Sequence, residues 1–143
     1  MSVTASASKT LYTTGNPYEK QIGYHRAVKR GPFIFVSGTT AIHPETQQLQ
    51  HPGNAYLQAK TAMMECVRAV ESLGGKLEDV CRVRMFVARQ EDCSMVGTAY
   101  REVFGSGVRE EGMGSAATMV VLGRGGFIDG DMLVEVEVDA VVV

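Results

Sequence analysis

The chain has 143 residues, a formal net charge of −2, 45% hydrophobic residues and three cysteines. This length suits one domain with its own core, and the slight acidic balance, with Lys and Arg scattered, excludes a basic surface for nucleic acid. The cysteines show no CxxC spacing and no set of His and Cys ligands accompanies them, so we expect neither a disulfide framework nor a metal site. Reduced, mostly buried thiols are expected instead.

Targeting signals are not evident in the sequence. Residues 1–9 are rich in Ser and Ala and contain no apolar core of a secretory signal. No apolar stretch approaches the roughly 20 residues of a membrane span. We therefore expect a cytoplasmic protein with no cofactor and no membrane partner, made of a flexible tail over residues 1–20 and a single domain over residues 21–143.

The first predicted elements are two strands and a long helix. Residues 24–29 form a plausible first strand, and residues 33–36 form a second that is short, β-rich and closed by Ser37 and Gly38. Helical spacing then connects a set of apolar residues, after which Gly74 and Gly75 end the helix. The set comprises Ala59, Ala62, Met63, Cys66, Val67, Val70 and Leu73.

The second half alternates again between strand and helix. Residues 79–88 form a strand, a helix begins near Asp92 or Ser94 and ends at Gly105, residues 116–122 form another strand, and residues 132–143 form the last. A Gly-rich loop over residues 123–131 precedes the last strand. The predicted helical stripe comprises Met95, Val96, Ala99, Tyr100, Val103 and Phe104.

Two strands show which side of the sheet is buried. In residues 79–88, Val83, Met85 and Val87 share one face, and Arg82, Arg84 and Phe86 share the other. In the last strand, Val134, Val136 and Val138 lie opposite Glu135, Glu137 and Asp139. The predicted fold is α+β in the order β-β-α-β-α-β, with two helices on one face of one sheet. The other face must meet water or another subunit.

Four segments in this order resemble those of the Rid (YjgF) family. They are Tyr24-His-Arg-Ala27, Phe35-Val-Ser-Gly-Thr39, Gly74-Gly-Lys-Leu-Glu-Asp-Val80 and Leu133-Val-Glu-Val-Glu137. They resemble the family's YSQA, FVSGQ, AGxSLxDV and LVEIEA segments. The resemblance implies a chorismate-mutase-like subunit in a homotrimer, with small-molecule clefts between subunits. It also implies hydrolysis of reactive enamines or imines, such as 2-aminoacrylate, to 2-oxoacids and ammonia.

The resemblance also implies site residues, each of which has a structural alternative. Glu135 stands where the family has an acid that positions the hydrolytic water, although a strand carboxylate can also be merely solvated. Tyr24 is a candidate hydrogen-bond donor or an interface tyrosine. Ser37, Gly38 and Thr39 are candidates for the cleft floor or simply end a strand.

The sequence departs from the family pattern at several of these positions. Ala117, followed by Thr118, replaces the arginine that grips the substrate carboxylate in the deaminases, which argues against 2-aminoacrylate as the substrate. Gly97 replaces an asparagine, Thr39 replaces a glutamine, and His25 with Arg26 replaces a Ser-Gln pair. Ala117 and Thr118 remain candidate substrate-binding positions, and His25 is a candidate acid or base or an ordinary polar side chain.

Two arginines are candidates to replace the missing charge. Arg84 is favoured and Arg26 is the second, with Glu135 or an anionic ligand as the expected partner. The alternative is that Arg84 makes an ordinary interface ion pair. His43, His51 and the loop around Arg124 are read as structural.

Three function classes remain open. The first is an enamine or imine hydrolase whose cleft lies between subunits, and the second is a non-catalytic trimer that binds a small metabolite. The third is an endoribonuclease, as an older family name states. The acidic balance and the absence of a basic groove argue against it.

Overall fold

The computed structural model describes residues 1–6, 8–106 and 113–143, and these form one mixed sheet with helices packed against it. The strands are β1 Ser2–Ala5, β2 Thr10–Thr13, β3 Ala27–Arg30, β4 Phe33–Thr39, β5 Val80–Val87, β6 Ala116–Val121 and β7 Val134–Val141. The helices are α1 Pro17–Ile22, α2 Ala55–Ser72 and α3 Cys93–Phe104.

Helix α2 begins and ends where the sequence provides caps. The side chain of Asn54 accepts a hydrogen bond from the Leu57 amide at 3.0 Å, which satisfies one of the free donors of the first turn. Gly74, with φ of +89°, takes the left-handed conformation just after the helix. Gly75 packs so closely that a Cβ atom there would lie 2.7 Å from Val70 Cγ1. The predicted helix and its stop signal are confirmed.

The seven strands run in the order β1-β2-β3-β4-β7-β5-β6. All neighbouring pairs are antiparallel except β5 and β6, which are parallel. The pairing of β4 with β7 slips between Val36 and Thr39, so the end of β4 contains a bulge. The strand order also places β7, which carries Glu135, inside the sheet between β4 and β5.

The core lies between the sheet and helices α2 and α3. Val134, Val136 and Val138 of β7 are buried, as are Val83, Met85 and Val87 of β5. The opposite face of the sheet is open. Phe33 and Phe35, on β4, are each about half exposed and stack with ring centroids 6.3 Å apart. The predicted α+β class, the single sheet and the placement of helices on one face are all confirmed.

The structure differs from the predicted elements at several places. Strands β1 and β2 and helix α1 give regular structure to residues that the sequence indicated as a tail. The strands predicted over residues 116–122 and 132–143 are both present as β6 and β7, so the order β-β-α-β-α-β counts one strand too few after α3. Met95 is 46% exposed rather than part of the buried stripe. Of the cysteines only Cys66 is buried, and Cys81 is exposed. Among the described residues, no helix is both long and apolar enough to cross a membrane.

Candidate functional site

An open cleft of about 640 Å³ lies on the open face of the sheet, where β4 and β7 meet helix α1 and the loop before β7. Its polar side includes Tyr24, Ser37, Gly38, Glu135 and Glu137. The sequence segments at residues 24–27, 35–39 and 133–137 thus meet at one place, because β3, β4 and β7 are neighbours in the sheet.

Glu135 is the central acidic group of this cleft. Its neighbours Val134 and Val136 are buried in the core, so the alternation of β7 places the glutamate on the open face. Burial raises the pKa of its carboxyl group above the ordinary value of 4.5, while the positive charge of Arg26 lowers it and the negative charge of Glu137 raises it further. Among the described residues, the carboxylate has no hydrogen-bond or ion-pair partner.

The bulge in β4 brings the backbone close to this carboxylate. A Cβ atom built on Gly38 would lie 3.0 Å from Glu135 Cδ, and 3.1 and 3.3 Å from its two oxygens. Glycine therefore leaves the space that the Glu135 carboxylate occupies. The Ser37 hydroxyl donates to the His25 carbonyl at 2.7 Å, and the Ser37 amide donates to the Arg26 carbonyl at 2.9 Å. These bonds tie the bulge to β3.

Arg26 lies beneath the cleft and is only 3% exposed. Its Nη2 donates to the Gly38 carbonyl at 2.8 Å and to the Tyr24 hydroxyl at 3.4 Å, and its guanidinium carbon lies 5.4 Å from the centre of the Tyr24 ring. Its Nε has no hydrogen-bond partner among the described residues. Arg26 thus supports both the bulge and the tyrosine from behind.

The counter-charge of Arg26 is Glu19 of helix α1, which is 2% exposed. Arg26 Nη1 lies 4.0 Å from Glu19 Oε2. The Thr14 amide donates to Glu19 Oε1 at 2.9 Å, and the Thr14 hydroxyl donates to Oε2. Glu19 was not among the predicted site residues, because residues 1–20 were expected to form a flexible tail. The available signal was Asn16, a capping residue, followed by Pro17 at the first position of a short polar helix.

Four predicted site residues, Tyr24, Ser37, Gly38 and Glu135, line the cleft together. Thr39 does not line it, because its side chain is buried and its hydroxyl donates to the Ser37 carbonyl at 2.7 Å.

His25 points elsewhere as well. Its Nδ1 lies 3.0 Å from the Thr13 hydroxyl, which connects β2 to the start of β3. Like Thr39, His25 is not among the residues that line the cleft.

The other basic and small candidates lie outside the cleft lining, with Arg84 and Thr118 on the open face and Ala117 beside Val83 on the helix side. Arg84 Nη1 lies 3.2 Å from both Glu137 Oε1 and Asp139 Oδ2. Within the described chain Arg84 thus pairs with Glu137 and Asp139 and not with Glu135, whereas the charge of Arg26 does act on Glu135. A role of Arg84 toward an anionic ligand stays a prediction. Ala117 and Thr118 lie on β6, opposite Val83 and Arg84 of β5.

The sequence analysis also missed an apolar wall on the other side of the cleft. This wall is lined by Phe127 and Ile128 of the predicted Gly-rich loop, and by Leu122 and Met132 at the adjoining ends of the two predicted strands. The apolar pair Phe127-Ile128 in that loop was the available signal. Within the described parts of the chain, no group of three or more His, Cys, Asp or Glu side chains is arranged to hold a metal ion.

The chain is similar to known proteins over most of its length. A family model described as Endoribonuclease L-PSP matches residues 14–142. An uncharacterized protein of Streptomyces coelicolor is 38% identical over 127 residues, which cover 89% of this chain and 87% of that protein. The 2-iminobutanoate/2-iminopropanoate deaminase of Escherichia coli K12 is 30% identical over 98 residues, which cover 68% of this chain and 73% of the enzyme.

A solved structure agrees with these sequence relationships. The crystal structure of Rv2704 from Mycobacterium tuberculosis, described as a member of the YjgF/YER057c/UK114 family, superposes with a TM-score of 0.76 at 30% identity. The superposition covers 94% of this chain and all of that one.

Proposed function

Because the chain belongs to the YjgF (Rid) family, whose model is described as Endoribonuclease L-PSP, we propose that it hydrolyses a small reactive imine or enamine. The reaction takes place in the Glu135 cleft, which a second subunit of a homotrimer completes. The relationship to an imine deaminase supports the reaction class, and the open sheet face with half-exposed Phe33 and Phe35 supports the trimer.

The observation that carries this proposal is the state of Glu135. Its carboxyl group lines an accessible cleft, makes no hydrogen bond or ion pair with the described residues, and has a pKa raised by burial. A carboxyl group of this kind exchanges a proton at a pH nearer neutrality than an ordinary glutamate does. Such a group can act both as base and as acid within one turnover.

The chemistry needs both roles. Hydrolysis of an imine converts R₂C=NH and H₂O into R₂C=O and NH₃. The Glu135 carboxylate takes a proton from water as the water oxygen bonds to the imine carbon, and the carboxyl group then returns that proton to nitrogen. The carboxylate next takes the hydroxyl proton of this carbinolamine and passes it to nitrogen as the C–N bond breaks, so that ammonia leaves and the carbonyl forms. An enamine first takes a proton on carbon to become the imine.

Tyr24 is placed to assist this reaction. Its hydroxyl oxygen accepts a hydrogen bond from Arg26, so its own proton is available to a ligand in the cleft. A hydroxyl polarised by a buried guanidinium is a stronger donor than an isolated one. We assign Tyr24 to orient the substrate or the attacking water.

Cleavage of RNA, which the family description names, has less support in this chain. The described residues lining the cleft include two glutamates and no lysine or arginine. Phosphate-binding surfaces instead collect positive charge. The formal net charge of −2 agrees with this reading.

A panel of imines generated in situ tests the proposal. The panel includes 2-iminobutyrate and 2-aminoacrylate, together with imines that lack a carboxylate, and ammonia release is followed against the spontaneous rate. We expect acceleration for at least one imine and little for 2-aminoacrylate, because Ala117 cannot grip its carboxylate. If no imine decays faster with the protein, the enzyme reading is wrong and a ligand-binding trimer replaces it.

A further inference from the structure

We propose that this cleft selects a small cationic ligand with an apolar body and no carboxylate, such as an iminium ion or a primary ammonium. The inference rests on the proposed function for the location of the site. It concerns the charge and polarity of the ligand, which the family relationship leaves open.

The charges around the cleft are the first argument. Glu137 lines the cleft, but its carboxylate also lies against Arg84, which pairs with Asp139 as well. Glu135 has no such partner among the described residues. It is therefore the acidic group that remains available to a cation that enters the cleft.

The position of Arg26 is the second argument. Its guanidinium is 3% exposed and is held behind the bulge by the Gly38 carbonyl and the Tyr24 hydroxyl, with Glu19 as its counter-charge. Its positive charge lowers the pKa of Glu135 from behind the bulge. The guanidinium is too buried to bind the carboxylate of a ligand in the cleft. An anionic ligand would have to enter beside Glu135 without a basic partner from the described lining.

The third argument is that the described lining of the cleft contains no lysine or arginine. Ala117, at the position of the family's arginine, stands opposite the core residue Val83 and is not part of that lining, so it supplies neither charge nor donor there. A carboxylate moved from water into a partly apolar cleft without a paired cation loses much of its solvation. Beside a like charge the cost rises further. The cleft therefore disfavours the carboxylate that an arginine would select.

The apolar wall indicates the rest of the ligand. The lining includes the apolar residues Phe127, Ile128, Leu122 and Met132 as well as the carboxylates of β7. A hydrocarbon chain of a few carbons can contact this wall while its charged nitrogen reaches Glu135. Each methylene buried there adds roughly 0.8 kcal/mol to binding.

A cationic substrate also fits the reaction. An iminium ion, R₂C=NH₂⁺, reacts with H₂O to give R₂C=O and NH₄⁺, so atoms and charge balance without an outside acid. Water adds to carbon, one of its protons passes by way of Glu135 to nitrogen, and the C–N bond breaks to release ammonia. The remaining hydroxyl proton then passes to that ammonia, which gives the carbonyl and ammonium. The nearby cation in turn favours the carboxylate form of Glu135, which is the form that acts as base.

Binding of two stable probes of opposite charge tests the inference. We compare n-pentylammonium with pentanoate by titration calorimetry at pH 7.5 and about 0.15 M ionic strength, where surface charges are screened beyond roughly 8 Å. The proteins are the wild type, Glu135→Gln and the control Glu71→Gln. Glu71 is exposed on α2, so its replacement removes the same charge outside the cleft.

We expect n-pentylammonium to bind the wild type and Glu71→Gln at least about tenfold more tightly than pentanoate. Glu135→Gln should lose about tenfold in n-pentylammonium affinity, the typical contribution of a hydrogen bond to a charged group. The inference is overturned if pentanoate binds equally or more tightly, if n-pentylammonium does not bind the wild type, or if Glu135→Gln binds it as the wild type does.

The two proposals can fail separately. Preference for n-pentylammonium without acceleration of any imine retains the cationic ligand and removes catalysis. Acceleration of imines together with tighter binding of pentanoate retains catalysis and removes the cationic ligand.

Discussion

The burial of Glu135 lowers the stability of the fold at neutral pH, although the same burial favours the proton transfer proposed for this residue. Burial raises the pKa of its carboxyl group above 4.5, so the folded chain binds this proton more tightly than the unfolded chain does. The contribution of Glu135 to stability is therefore fully present below its unfolded pKa and is lost as the pH rises through the folded pKa. At neutral pH the carboxylate destabilises the fold, which is common for reactive groups in active sites.

The first prediction follows from this sign. Glu135→Gln should raise the Tm at pH 7.5 by roughly 1–3 °C, because an uncharged isostere avoids the cost of burying the carboxylate. The gain should vanish near pH 4, where the wild-type carboxyl group is protonated. Thermal unfolding followed by circular dichroism at both pH values measures it. A gain that is equal at both pH values, or also found in Glu71→Gln, would contradict the stated cause.

Arg26 carries the second prediction at this scale. Arg26→Met leaves the Glu19 carboxylate and the Gly38 carbonyl buried without their shared partner. We expect a loss of about 3 kcal/mol in the free energy of unfolding, measured by urea at fixed protein concentration. Arg30→Met, at an exposed position of β3, should change it by no more than about 0.5 kcal/mol.

A second measurement separates the electrostatic role of Arg26 from its packing role. The charges that act on the Glu135 pKa are Arg26, which lowers it, and Glu137, which raises it, in addition to burial. Arg26→Met should therefore move the acidic limb of the activity or binding profile to higher pH. A midpoint that stays where it is in the wild type would assign Arg26 a structural role only.

At the scale of elements, the bulge of β4 sets the geometry of the site. Gly38→Ala places a methyl group about 3.0 Å from the Glu135 carboxyl carbon, so the carboxylate must move by a few tenths of an ångström. We expect kcat/KM, or n-pentylammonium affinity, to fall about tenfold, with a loss of stability of about 1 kcal/mol.

The matched control is Gly130→Ala. Apart from its chain neighbours, no described residue has a heavy atom within 4 Å of a Cβ built on Gly130, and the φ of Gly130 is not in the left-handed region. Function and stability should therefore both be retained. If Gly38→Ala and Gly130→Ala behave alike, the close approach of the bulge to Glu135 has no functional role.

The elements that the sequence predicts well are those with strong periodicity and clear end signals. Helix α2 is followed by the stop signal Gly74-Gly75, and β7 alternates valines with acidic residues. The spacing of the apolar residues therefore shows which face of each element is buried. Strands β1 and β2 were missed because they are four residues each and too short for a periodic signal. Their pairing depends on β3, which is distant in sequence.

The site could be predicted only in part, for a similar reason. The family segments give Tyr24, Ser37, Gly38 and Glu135, which the sheet brings together. The burial of Arg26 could not be predicted, because its partner Glu19 comes from a segment without strand or helix periodicity. The ion-pair partners of Arg84 could not be predicted either, because cross-strand neighbours follow from the register of the strands and not from the local sequence.

At the scale of the whole molecule, we expect the open face of the sheet to be covered by other subunits. Phe33 and Phe35 are each about half exposed on this face, while Ile34 and Val36 between and beside them are buried in the core. Stacked aromatic side chains at the surface are typical of interfaces. A closed threefold assembly would cover this face in every subunit.

The prediction at this scale is a homotrimer of about 46 kDa, three times the chain mass of 15.4 kDa. Sedimentation equilibrium measures it. Phe35→Glu, which adds a charge to the open sheet face, should shift the species toward the monomer. Met95→Glu, which adds the same charge to an exposed position of α3 on the other side of the sheet, should not. A monomeric wild type at micromolar concentration would remove the intersubunit part of the proposal.

The central claim is that the Glu135 carboxyl group carries out proton transfer during imine hydrolysis. The most direct measurement is kcat/KM for ammonia release from the best imine of the panel, with wild type, Glu135→Gln and Glu71→Gln compared at one pH. We predict a loss of about 10²-fold or more in Glu135→Gln, the usual contribution of general acid–base catalysis, and no change in Glu71→Gln. A folded Glu135→Gln protein with wild-type kcat/KM would contradict the claim.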